Sequence, residues 1–592
     1  MKKNSLFKWL IIAGLAGNGI TDAAPDTAPE NPTINAPSAP PVPDVLPLEE
    51  APFVIAPPDK RHEPLASAIF NMLAGEIAGR RNQIPLAIQH YLDAARLSRN
   101  ALVAERATRV ALVAREFHAG LDAARLWMEL RPDNHEALQI ATIFHFRTND
   151  APGTLATLEK LIALLIPKGV ENAYEVVAVL LARENNSDFA QTIINQLVER
   201  TTERYLPEAL FAAGKIHLQN NQSELALQVL DKVLLARPGW VNAIILRARA
   251  LQEQNRNDLA LNYLAEAVKA KPKAHELRLA YGRSLIDEQE FSRARDEFII
   301  LARQQPNNGD ILFTLGILYL EADQKDQAKR QFTRLLRMGA HTQDANFYLG
   351  QIAESANNLS EAITLYRAVR EGENYLNAQI RVASLLARKG ELTAARTHIH
   401  SLDPKDTAQA IRLILVESEL LRDAGYLEEA FKVLSRAIEE LPDNDLLYTR
   451  AMIAERLNKI NLLEEDLKLI LKNDPNHVQA LNAMGYTLAD RTKRFQEALG
   501  YIKRALELRP NDFYILDSMG WVQYRLGHYA EAIRYLQQAL ALKPDPEVAA
   551  HLGEVLWVTG NKSEAQKIWQ RALKNTPEAK IVRDTMDRFL KR

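Results

Sequence analysis

The chain has 592 residues, too many for one ordinary globular core, so several domains or a repeat array is expected. Its 73 basic and 75 acidic residues leave a formal net charge of -2, which provides no basic stripe for nucleic acid. There is no cysteine, and this removes disulfides, thiolate metal sites, cysteine nucleophiles and bacterial lipoprotein acylation.

The opening "MKKNSLFKWLIIAGLAGNG" places Lys2, Lys3 and Lys8 around a short apolar run from Trp9 to Ala16, followed by small residues. This reads as a secretory signal over 1–23, with Thr21 and Ala23 at the small-residue positions before the cut, the alternative being an uncleaved anchor. No later apolar run reaches the roughly 18 residues that span a bilayer, so no transmembrane segment is expected in the mature chain. Residues 24–64 form a proline-rich linker, with twelve prolines in the forty residues from Pro25 to Pro64 and no helical periodicity.

From Leu65 the apolar spacing is helical. "GEIAGRRNQIPLAIQHYLDAA" carries Gly75, Ala87, Tyr91 and Ala94, and the next pair ends with Ala123, Trp127 and Pro132. The small-residue pattern fades from His135 to Arg204, leaving two degenerate pairs, so 65–204 reads as an N-terminal degenerate block. A regular central block over 205–404 follows. Here Gly214, Ala248, Gly282, Gly316 and Gly350 recur every 34 residues, in step with Ala226, Ala260, Ala294, Ala328 and Ala362, and with Pro238, Pro272 and Pro306. The block 405–592 returns to the pattern through Gly485, Gly520 and Gly553 and closes on a polar helix. A glycine inside a helix costs about 1 kcal/mol relative to alanine, so its periodic return marks places where paired helix backbones must approach closely.

The run Met519, Gly520, Ala532, Leu536, Ala539 and Pro544 resembles the tetratricopeptide repeat, a helix–turn–helix of 34 residues. The resemblance implies an all-α fold, a right-handed superhelical solenoid of about fifteen helix pairs. It also implies that the first alanine packs against the glycine of its own pair and that the proline closes the second helix. "AGEIAGRRNQIPLAIQHYLDAAR", "VAERATRVAL", "AMIAERLNKINLLEEDLKLIL", "ALNAMGYTLADRT", "ILDSMGWVQYRLG" and "DPEVAAHLGEVLW" are similar to a narrower group, the proteobacterial periplasmic adaptors that include the lipoprotein-binding partner of a carboxyl-terminal processing protease. That likeness implies a non-enzymatic periplasmic scaffold of a Gram-negative bacterium that presents cell-wall hydrolases to the protease, with possible peripheral association with the envelope. The chain departs from the family's lipoprotein member in having no cysteine to acylate. A scaffold for exopolysaccharide secretion or another envelope complex is the alternative function.

No H-E-x-x-H, G-x-S-x-G, G-x-G-x-x-G or Walker loop occurs, so no catalytic, cofactor-binding or metal residue is assigned and no cofactor is expected. Gly214-Lys215 lacks the rest of a phosphate loop. His398 and His400 are spaced for different helix faces and read as solvated, as does the acidic run Glu464 to Asp466. Trp127 and Trp569 read as core.

In tetratricopeptide solenoids the first helix of each pair lines a concave groove through repeat positions 2, 5, 9, 12 and 13, the glycine being position 8. These positions are Asn482, Tyr486, Tyr514, Asp517, Trp521, Tyr524, Arg525, Glu554 and Trp557 near the C-terminus. The partner-binding candidates are Tyr486, Tyr514, Asp517, Trp521, Tyr524, Arg525 and Trp557, because large aromatics with a polar rim suit a peptide hot spot. The middle repeats place a mixed set there, including Phe211, Lys215, Phe313 and Phe347. Tyr486 stands where a chaperone-type carboxylate clamp needs asparagine, so that subtype is not expected.

Overall fold

A computed structural model describes residues 63–590; the expected signal and the expected proline-rich linker up to residue 62 lie outside them, and Glu63 and Pro64, expected as the end of the linker, instead begin the first helix. Among the described residues there are 31 α-helices and no strand, which is fifteen pairs and a last helix. The chain divides into two compact units, with the boundary between Ala340 and His341.

The first unit begins with α1 (Glu63–Arg80), α2 (Ile84–Ser98), α3 (Ala101–Ala114) and α4 (Phe117–Leu130), whose apolar faces form one core around Tyr91 and Trp127. The stretch where the small-residue pattern fades folds as two pairs, α5 (His135–Arg147) with α6 (Ala151–Leu165), and α7 (Val170–Ala182) with α8 (Ser187–Arg200). The strict 34-residue run then gives α9 (Leu206–Gln219) to α16 (Lys325–Met338).

The second unit continues with α17 (Thr342–Ser355), α18 (Leu359–Arg367), α19 (Tyr375–Arg388), α20 (Leu392–His400), α21 (Thr407–Asp423) and α22 (Leu427–Glu440). It ends in α23 (Asn444–Arg456), α24 (Ile460–Asn473), α25 (Val478–Arg491), α26 (Phe495–Leu508), α27 (Phe513–Arg525), α28 (Tyr529–Leu542), α29 (Pro546–Val558), α30 (Lys562–Asn575) and α31 (Lys580–Leu590). The core of each unit is a succession of local clusters, each shared by neighbouring pairs, as a repeat array requires.

Close approach at the periodic glycines is observed, and its geometry sharpens the expectation. A β-carbon on Gly520 would lie 2.5 Å from Leu536 Cγ, one on Gly282 2.8 Å from Phe298, and one on Gly350 2.7 Å from Tyr366. In each case the filling side chain stands sixteen residues on, at the large apolar position. The first alanine contributes its backbone instead, its carbonyl oxygen lying 3.2 Å from a β-carbon on Gly520 and 2.9 Å from one on Gly485.

The turn inside each pair carries its own period. Asn221, Asn255, Gln289, Asp323 and Asn357 all have positive φ, 34 residues apart, and Gly527 and Gly560 take that place later. Left-handed backbone is least costly for glycine and asparagine, so these residues reverse the chain between the two helices. At the opposite turn, α10 (Ser223–Ala236) and α12 (Asn257–Ala270) stop two residues before Pro238 and Pro272, as the proline signal predicts.

Two local expectations are corrected. Asp466 is buried and held by Nε and Nη2 of Arg450, at 2.9 and 2.6 Å, so it clamps α24 to α23 and is not solvated. His398 is half-buried with Nε2 unpartnered, and desolvation followed by nearby Arg367 lowers its pKa; exposed His400 bonds Glu417 at 2.8 Å.

Candidate functional site

Four successive first helices of the second unit, α23, α25, α27 and α29, together with α31, enclose a concavity of about 540 Å³. Four of their starts are fixed by side-chain caps: Asp443 accepts from the amides of Asp445 and Leu446, His477 Nδ1 from that of Ala480, Asp512 from those of Tyr514 and Ile515, and Asp545 from that of Glu547. Such caps fix where each helix begins, and so which residues its inner face presents.

From α23 come Tyr448, Met452 and Glu455, the residues at positions 5, 9 and 12 when Ala451 stands in place of the glycine. Asn482, Tyr486 and Asp490 come from α25, and Tyr514, Asp517 and Trp521 from α27. Across from them, α29 contributes Glu547, His551 and Glu554, and α31 contributes Arg588.

A polar–aromatic lattice joins these walls. His551 Nδ1 lies 3.0 Å from Asp517 Oδ1 and 3.2 Å from Oδ2, and the imidazole stacks on Trp521 with centroids 4.3 Å apart. Both Asp517 and His551 are buried. Desolvation opposes the imidazolium, but the Asp517 carboxylate, helped by Glu547 and Glu554, outweighs it and raises the His551 pKa. Tyr486 donates its hydroxyl proton to Glu547 at 3.4 Å, and Tyr524 to Glu554 at 3.2 Å. Burial, reinforced by the neighbouring carboxylates, pushes the Tyr486 phenol up, and burial with Glu554 pushes that of Tyr524 up to about 12. Arg588 closes the far side with a 2.7 Å bond to Glu554.

The seven residues singled out from the sequence separate here. Tyr486, Tyr514, Asp517 and Trp521 line the hollow together. Tyr524 stands behind it, bonded to Glu554. Arg525 stacks on Phe495 at 4.9 Å and donates to the Asp490 carbonyl at 3.2 Å, a contact between pairs. Trp557 packs with Trp569 and Phe589 at the end of the core. Trp521 is only 7 % exposed, so it is a wall and not a projecting contact, whereas Tyr514, 58 % exposed, is the accessible aromatic.

Glu455, Tyr448, Glu547, His551 and Arg588 were not anticipated. Glu547 stands at position 2 of its repeat and Glu455 at position 12, so stricter use of the register finds both; His551, at position 6, and Arg588, beyond the last pair, carry no such signal. In the middle repeats Phe211, Phe313 and Phe347 are all buried, and Lys215 on α9 pairs with Glu175 at 2.5 Å. Among the described residues no group of His, Cys, Asp and Glu is placed to hold a metal.

Family models for the tetratricopeptide repeat match residues 245–309, 313–375 and 487–556. The chain is 39% identical over 502 residues to the TPR repeat-containing protein PA4667 of Pseudomonas aeruginosa, covering 84% of each. The chain belongs to the tetratricopeptide repeat proteins. A shorter likeness, 27% over 154 residues, joins it to the tetratricopeptide repeat-containing protein trd-1 of Caenorhabditis elegans, covering 26% of this chain and 19% of that one. Among solved structures, the thermophilic tetratricopeptide protein TTC0263 of Thermus thermophilus is 24% identical and matches 31% of this chain and 99% of its own at a TM-score of 0.29. The Naa15/Naa10 complex bound to HypK matches 89% of this chain and 95% of its own at 14% identity and a TM-score of 0.34. Neither superposition carries weight for function. Tetratricopeptide proteins are typically protein-interaction scaffolds, and the hollow of the second unit is where this one presents aromatic and polar groups together.

Proposed function

We propose that the chain is a non-enzymatic adaptor of the bacterial periplasm, holding a segment of a partner protein in the hollow between α23 and α31 and presenting cell-wall hydrolases to a carboxyl-terminal processing protease. The observation that carries the binding role is the lining of that hollow, where exposed Tyr514 stands beside buried Trp521 and half-buried Tyr486 with polar groups around them. Clustered aromatics with a polar rim resemble the anchor points that dominate protein interfaces. The periplasmic assignment is supported by the basic and apolar opening residues, and the protease partnership by the resemblance of several passages to the periplasmic adaptor group.

Retention on the immobilised full chain tests the proposal. A carboxyl-terminal processing protease and a cell-wall hydrolase from the same bacterium are each passed over it at physiological salt. Both are retained if the proposal holds, and Tyr514→Ala reduces retention of at least one. Passage of both proteins unretained contradicts it and moves the secretion-scaffold reading ahead.

A further inference from the structure

The hollow is acidic as well as aromatic. Five carboxylates, Glu455, Asp490, Asp517, Glu547 and Glu554, face it against the guanidinium groups of Arg491 and Arg588 and the imidazole of His551. Three of the five are engaged: Asp517 by His551, Glu554 by Arg588, and Asp490 by Arg491 at 3.1 Å. Glu547 receives only the long bond from Tyr486, and Glu455 has no hydrogen-bond or ion-pair partner among the described residues. Desolvation raises the pKa of both. Arg491 opposes the rise at Glu455 while Asp490 adds to it, and His551 opposes it at Glu547 while Asp517 and Asp545 add to it. Negative charge here is therefore incompletely compensated.

A second, independent feature lies in the same walls. The indole Nε1 of Trp521, a residue more than nine-tenths buried, has no hydrogen-bond acceptor, and the Oδ1 of Asn482 on the neighbouring helix has no donor. Both atoms are sealed from solvent, and a buried polar atom without a partner costs about 1–3 kcal/mol, so a ligand that parts these walls and supplies what the two lack offsets that cost. One missing acceptor and one missing donor match the carbonyl and amide of a peptide group. The rings of Tyr448 and Tyr486 offer faces that attract cations, and the Tyr514 ring already holds the Lys543 ammonium 5.5 Å from its centroid.

We propose that the hollow takes a lysine- or arginine-bearing stretch of a partner protein, whose cationic head groups meet Glu455 and Glu547 while its backbone meets Trp521 Nε1 and Asn482 Oδ1. This rests on the reading of the hollow as a partner site and adds the chemistry of what enters it. Arginine suits the site best, because its planar guanidinium both pairs with carboxylates and stacks on aromatic rings.

The test is fluorescence anisotropy on the full chain with three labelled Gly/Ser peptides that differ in carrying arginine, its uncharged isostere citrulline, or glutamate. The arginine peptide binds about tenfold or more tighter than the citrulline peptide, the glutamate peptide binds weakest, and the double variant Glu455→Gln/Glu547→Gln abolishes the difference. Glu455→Gln alone leaves the melting temperature unchanged or raised, since burial disfavours the charge it removes; a merely structural carboxylate would lower it. Equal binding of arginine and citrulline peptides overturns the inference, as does a preference that survives in the double variant. If the two peptides bind equally and Tyr514→Ala weakens both, charge selectivity falls and the partner-site reading stands. If no peptide binds and Tyr514→Ala leaves retention of the protease and hydrolase unchanged, both readings fall.

Discussion

Gly500 and Gly520 both lie inside helices, and the side chains around them give them opposite meanings. Nothing stands within 4 Å of a β-carbon built on Gly500, which is exposed on α26, while one on Gly520 meets Leu536 at 2.5 Å and the Ala532 carbonyl at 3.2 Å. Gly500→Ala therefore stabilises the protein by about 0.5–1 kcal/mol, through the helix propensity of alanine. Gly520→Ala destabilises it by about 1–3 kcal/mol, because Leu536 is fully buried and has no room to withdraw. Thermal melts followed by circular dichroism check the two signs, and hydrogen exchange over 513–542 localises the second. His551 gives a pH test at the same scale. Its folded pKa is raised above the ordinary value near 6.5, against desolvation, by Asp517, Glu547 and Glu554, with Tyr486 and Trp521 as its aromatic neighbours. The stability it contributes is fully present below that ordinary value and is lost as pH rises through the folded one. His551→Gln flattens the fall in melting temperature on the alkaline side of about pH 6.5, and an unchanged fall would show that this pair does not cause it.

At the scale of the element, the end of the array makes a third prediction. Helix α31 covers Trp569 and Trp557 with Phe589, buries Val582, and brings Arg588 to Glu554. Truncation after Thr576 uncovers the two indoles and leaves the buried Glu554 without its cation, so exchange over α29 and α30 rises and binding of an apolar dye increases. Unchanged exchange would mean that the last pair is self-sufficient. Much of this architecture is legible in the sequence, since the 34-residue return of small residues, the large apolar residue beyond them and the closing prolines each impose one packing contact, and the contacts are local. The left-handed turn residues keep the same period but are less visible, because asparagine, glutamine, aspartate and glycine all fill the place. The site is only partly legible. Register identifies the inner face and so finds Tyr486, Tyr514, Asp517 and Trp521, yet it does not say which side chains on that face stay open. Trp521 is walled in by His551, a residue outside the five positions, and Trp557 is drawn into the core by an aromatic on the closing helix. Burial of that kind depends on neighbours in other helices, which periodicity does not report.

At the scale of the whole molecule, no helix of the described residues is long and apolar enough to cross a membrane, and each unit is built from tandem helix pairs. An array of this kind offers more surface than one partner segment needs, and the function proposed above uses that surplus to hold two proteins at once. Holding protease and hydrolase on one chain turns their encounter into an effectively intramolecular event at raised local concentration. The direct measurement is the rate at which the protease degrades the hydrolase as the adaptor is titrated from none to large excess, with the adaptor alone as control. The account predicts no cleavage by the adaptor alone, acceleration as it is added, and a decline at excess, where protease and hydrolase are distributed onto different molecules. A rate that rises to a plateau and stays there would indicate an activator of the protease, and a rate that never rises would contradict the adaptor role altogether.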